Sequence, residues 1–112
     1  MNKQIVFKKL LDNFETQDMR LYCEDMIEQI PDYIFDMPSS TSGKYHNKTQ
    51  CQPHGQVYHI LMFAEILNYL LALKCNKEKF KSPQQRDAMR CVPIFHDALK
   101  CGLEGGSWTV HE

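Results

Sequence analysis

"QVYHILMFAEILNYLLALK", residues 56–74, is the stretch on which the fold turns. At about 100° per residue, Ile60, Phe63, Ile66, Leu67, Leu70 and Leu71 share one face, the i, i+3, i+4, i+7 spacing of an amphipathic helix. His59 falls inside that apolar arc, while Leu61 and Asn68 lie opposite. A lone histidine on such a face is more often a satisfied core residue than a ligand. The apolar run from Val57 to Leu73 carries His59, Glu65 and Asn68, and it is too short and too polar for a membrane span.

Downstream, residues 75–81 read as a charged, lysine-rich turn. Ser82-Pro83-Gln84-Gln85 then reads as a helix start. Ser82 caps, Pro83 takes the first helical position, and Gln85 completes a capping box. This helix is predicted to run through "VPIFHDALK", residues 92–100, and to stop at Gly102. Pro93 within it removes one backbone hydrogen bond and predicts a kink just before His96-Asp97.

Upstream, residues 3–14 carry Ile5, Val6, Leu10, Leu11 and Phe14, a short amphipathic helix. Met19, Tyr22, Cys23, Met26, Ile27 and Ile30 predict a second, capped by Asp18 or Thr16 and ended by Pro31. Residues 31–55 form a long irregular stretch with Pro31, Pro38, Pro53, Gly43 and Gly55. Loops of that length are usually functional or disordered, and this one holds Lys44, Tyr45, His46 and His54. Period-two alternation is absent. The expected architecture is an all-α, compact helical bundle, one domain over residues 1–112, with a long loop before the central helix.

Composition narrows the function classes. Apolar residues make up 43% and charged residues 24%, the range of a soluble globular chain. A net charge of −1 gives little support to an extended nucleic-acid surface. Five cysteines at wide spacings, with no C-x-x-C, read as reduced thiols in a cytoplasmic protein rather than a zinc ribbon. The N-terminal "MNKQIVFKKLLDNF" is broken by charges and is not a signal peptide. Cys51 and His54 are a weak nucleophile pair, three residues apart in a proline-containing loop.

The chemistry concentrates at two positions. Antiparallel packing of the two long helices brings the start of the first, at His59, against the end of the second, at His96-Asp97. Imidazole nitrogen and carboxylate oxygen together suit a divalent transition ion such as Mn²⁺, Fe²⁺, Co²⁺, Ni²⁺ or Zn²⁺. Such an ion would offset the cost of burying polar groups and lower the pKa of a bound water to about 7. Lys100, three residues after Asp97, has two readings: a contact to phosphate, or a cation at a helix C-terminus.

"GQVYHILMFAEIL" followed by "RDAMRCVPIFHDALKCG" resembles the HD-domain superfamily of metal-dependent phosphohydrolases. The glycine-led histidine segment is Gly55 to His59, and the apolar His-Asp segment is Phe95 to Lys100, with Leu99 where glycine is common. "SSTSGKYHNK" also looks like a segment found in small bacterial and phage members. The resemblance covers about residues 37–112. It implies His59, His96 and Asp97 as metal ligands, with His111 as a further one. It also implies Asp97 and Lys100 in catalysis, Lys44, Tyr45 and His46 as substrate contacts, and hydrolysis of a small phosphoester, a nucleotide above all. The family pattern closes with another aspartate from a later helix, which this sequence, ending at Glu112, does not supply. The chain is therefore expected to be either the N-terminal part of a longer domain or a domain with an incomplete site. Two other readings stand beside hydrolysis: nucleotide or metal binding without turnover, and a helical interaction protein with a fortuitous His-Asp pair.

Overall fold

The computed structural model describes residues 2–39 and 52–105. The elements are α1 (Lys3–Val6), α2 (Lys8–Leu11), α3 (Gln17–Glu28), a 3-10 helix (Asp32–Phe35), α4 (Gly55–Ala72), α5 (Lys74–Lys79) and α6 (Pro83–Phe95). No strand occurs among the described residues, in line with the helical expectation.

The predicted N-terminal helix is two helical turns rather than one. Asn2 Oδ1 caps α1 by accepting from the Gln4 and Ile5 N–H groups. The chain breaks at Phe7 because that ring is fully buried and packs 5.6 Å from the ring of Phe35. In α3, Cys23 and Ile27 point inward. Lys3 closes its end, with Nζ donating to the Ile30 and Glu28 carbonyls and pairing with Asp32. A cation there meets the negative end of the helix dipole. The core gathers Phe7, Ile27, Ile34, Ile60 and Ile94, each at most 1% exposed. Burying such a side chain contributes roughly 1.5–3 kcal/mol.

The start of α3 differs from the expectation. Thr16 occupies the cap position, but its hydroxyl makes no capping bond there. Asp87 of α6 instead reaches across. Its carboxylate accepts from the Glu15 N–H, the Thr16 N–H, the Thr16 hydroxyl and Arg90 Nη1. Burial pushes the acidity of Asp87 toward a higher pKa, and these donors outweigh it and hold the group below its ordinary value. Beside it, Glu15 is gripped by Arg86 and Arg90. Those hydrogen bonds lower its pKa to about 2.

Helix α4 is the long central element, yet its buried positions are Gly55, Gln56, Ile60, Ala64 and Leu71. Ile66 is 52% exposed and Leu70 43% exposed, so the apolar stripe is wider than the packed face. The lysine-rich segment folds into α5 instead of a plain turn. Ser82 and Gln85 form the expected capping box, with Pro83 in the first turn of α6. Helix α6 packs antiparallel to α4: Arg90 Nε donates to Asn68 Oδ1 near the connecting end, and His96 meets His59 at the other.

The helix continues through Pro93 and ends at Phe95, not Lys100. Residues 96–104 form successive turns. Tyr33 holds them: its hydroxyl donates to the Gly102 carbonyl and accepts from the Cys101 N–H. Gly105 lies against the same ring with φ +69, where a Cβ would come within 2.3 Å of Tyr33. The thiols of Cys23, Cys75, Cys91 and Cys101 are free, as expected. No helix among the described residues is long and apolar enough to cross a membrane.

Candidate metal centre

Two chain segments build the centre. The first is the start of α4. His54 precedes it in the left-handed region, at φ 67, a conformation unusual for a residue other than glycine. Its backbone N–H donates to the Asp36 carbonyl, and its Nδ1 lies 2.7 Å from the Phe35 carbonyl oxygen. Gln56 N–H donates to Met37 O. These bonds fix where α4 begins and so where His59, one turn on, projects. The second segment is the end of α6, where the chain leaves the helix at His96 and both His96 and Asp97 turn toward His59.

Ligand atoms of His59, His96 and Asp97 all lie within 4.8 Å of one another. His59 Nε2 is 3.4 Å from His96 Nε2, and His96 Nε2 is 3.1 Å from Asp97 Oδ2. Phe63 closes one side, its ring edge-on to His96 at 5.1 Å. The cluster is half-buried, with 26% of the His96 side chain and 30% of the Asp97 side chain exposed.

The hydrogen bonding of His96 decides what the cluster suits. His96 Nδ1 lies 2.9 Å from the Pro93 carbonyl oxygen. A carbonyl only accepts, so Nδ1 carries the proton. His96 Nε2 then faces the Asp97 carboxylate. A ring nitrogen and a carboxylate oxygen 3.1 Å apart are bridged by a proton or a cation. Anchoring of the distal ring nitrogen on a backbone carbonyl is also how metal-bound histidines are ordinarily held. The site sits beside the C-terminus of α6, where the helix dipole favours positive charge. The donor set of two imidazoles and a carboxylate thus fits a divalent transition ion.

Gln56 is a member of this centre that the residue pattern did not single out. It is fully buried, and its Nε2 lies 3.4 Å from Asp97 Oδ2. Its Oε1 is buried without a hydrogen-bond partner among the described residues. Such an atom costs about 1–3 kcal/mol. The only sequence signal was a glutamine three residues before the candidate ligand His59, on the same helix face.

Lys100 does not point freely at the cluster. Its ammonium donates to the Ser39 carbonyl, tying the turns after α6 to the segment before the long loop. A cavity of about 520 Å³ opens beside His96 and Asp97, walled by Met26, Ile30, Pro31, Leu99 and Leu103. Lys44, Tyr45, His46 and His111 lie outside the described residues.

No family model matches the chain, and no curated protein or solved structure does either.

Proposed function

We propose that this protein is a metal-dependent phosphohydrolase of the HD type, acting on a nucleotide or another small phosphoester. The observation that carries the reading is the convergence of His59, His96 and Asp97 within 4.8 Å, with His96 Nε2 turned into the cluster. These three residues would hold a divalent ion such as Mn²⁺, Fe²⁺, Co²⁺, Ni²⁺ or Zn²⁺. The ion would supply Lewis acidity and a water acidic enough to ionise near pH 7. The protein's own residues do the rest. Pro93 O fixes the His96 tautomer, Asp97 contributes negative charge, and Phe63 shields the imidazoles on one side. The neighbouring cavity has the size of a small-molecule site, and its apolar walls suit the leaving group of a phosphoester.

The Lys100 contact favours a second reading, metal or nucleotide binding without turnover. With its ammonium on Ser39 O, Lys100 acts as a tether rather than a phosphate ligand. One experiment separates the two. Purified protein is stripped with a chelator, titrated with Mn²⁺, Co²⁺ and Zn²⁺ by calorimetry, and assayed on nucleotides and generic phosphomonoesters and diesters. Stoichiometric binding, lost in His59→Ala and His96→Ala, together with metal-dependent phosphate release, supports hydrolysis. Binding without release supports the second reading, and no binding removes both metal readings.

A further inference from the structure

We infer that Gln56 is the positioning residue of the metal centre, orienting Asp97 through its amide nitrogen and keeping its carbonyl for a hydrogen-bond donor admitted with the ligand. The inference rests on the metal-binding reading of His59, His96 and Asp97.

Gln56 occupies the second position of α4, one turn before His59, so both project from the same face. It is 0% exposed. Its main chain is engaged elsewhere, the N–H donating to Met37 O, so α4 and the segment after the 3-10 helix fix its backbone. The side-chain amide then has one described contact, from Nε2 to Asp97 Oδ2. That oxygen is the one beside His96 Nε2, the carboxylate atom aimed at the cluster. A donor on it selects the rotamer of Asp97 that faces the imidazoles. Carboxylates that hold metals are themselves hydrogen-bonded, and this outer partner commonly governs affinity.

Packing alone does not account for the glutamine. A methionine fills a comparable volume with no polar group to satisfy, whereas Gln56 carries a buried acceptor, Oε1, with no donor among the described residues. Unsatisfied buried groups of this kind point to a functional role or to a ligand. A water or substrate hydroxyl entering beside Asp97 would supply the missing donor.

The test uses the full chain and the variant Gln56→Met. Metal affinity is read by calorimetry with Co²⁺ and Zn²⁺, and the Co²⁺ absorption spectrum reports ligand geometry. Expected are a roughly 10–100-fold loss of affinity and an altered Co²⁺ spectrum. The metal-free thermal midpoint should be unchanged or higher, because an unsatisfied acceptor has been removed. A purely structural glutamine gives the reverse, a lowered metal-free midpoint with metal affinity intact, and that result overturns the inference. A second measurement needs no variant. In ¹⁵N-labelled wild-type protein, the Gln56 side-chain amide signals should shift when Zn²⁺ is added. Stoichiometric Zn²⁺ binding that leaves them unmoved also overturns it. Wild-type protein that binds neither metal defeats the metal reading itself, and the inference with it.

Discussion

Asp87 and Asp97 lie ten residues apart, one inside α6 and one just beyond its end, and they illustrate two uses of a carboxylate. Asp87 is fully buried and meets hydrogen-bond donors from Glu15, Thr16 and Arg90. It locks α3 to α6 and leaves nothing for a ligand. Asp97 is partly exposed and faces the Nε2 atom of His96 at 3.1 Å. A carboxylate with every lone pair answered holds a fold together, and one flanked by two imidazoles at a half-open site is placed to share a cation.

The contrast is broken most directly by removing each side chain. Asp87→Ala should cost about 3–5 kcal/mol, since it leaves the Glu15 and Thr16 N–H groups before α3 without their acceptor and takes one of two carboxylates from Arg90. Asp97→Ala should cost about 1–3 kcal/mol in metal-free protein, because it leaves the buried Gln56 Nε2 without its acceptor. Urea unfolding of both variants measures the difference, and equal losses would erase the distinction. Added ion should act on the Asp97 end alone. At free metal about 100 times Kd, wild-type protein should gain about 2.7 kcal/mol. Asp97→Ala and His96→Ala should gain almost nothing in the same denaturation series.

Acid should act on the Asp87 end. Glu15 has an unfolded value near 4.5 and a folded value of about 2, lowered by Arg86 and Arg90. Its contribution is present above pH 4.5 and is lost as pH falls toward 2. Asp87 is shifted in the same direction. Urea midpoints should therefore decline through that window, and Glu15→Gln should flatten the decline. The effect is modest, because 35% of the Glu15 side chain is exposed and solvent screens the pair. The smallest change is Lys100→Met, which removes the tether to Ser39 at a cost of about 1 kcal/mol. On the hydrolysis reading, a Lys100 that only tethers leaves phosphate release in this variant at a similar kcat. A large fall in kcat with metal affinity unchanged would return Lys100 to the chemistry.

Local signals marked much of the helical plan. The capping box at Ser82, the stop before Pro31 and the pairing of His59 with His96-Asp97 follow from spacing and punctuation. Other features depend on contacts distant in sequence. Phe7 breaks the first helix because of Phe35, and Thr16 gives up its capping role to Asp87, more than seventy residues away. The exposure of Ile66 and Leu70 shows that an apolar stripe marks which face can be buried, while the neighbours decide how much of it is. Helix α6 stops at Phe95 rather than Lys100. Periodicity could not show this, because apolar residues continue past His96 and the turns are held by Tyr33. Gln56 was hidden because a glutamine in a helix carries no chemical signature until its partner is known.

The position of the cluster in the α4–α6 pair has a kinetic consequence. The two helices are joined through α5 at one end, and His59 meets His96 at the other, 37 positions apart in the chain. An unlinked end is where a helix pair begins to peel open, exposing backbone to proteases. An ion bound there would work as a latch, making the end most prone to fraying the last to part. Loaded protein would then be distinguished by how long it survives digestion, beyond what its equilibrium midpoint conveys.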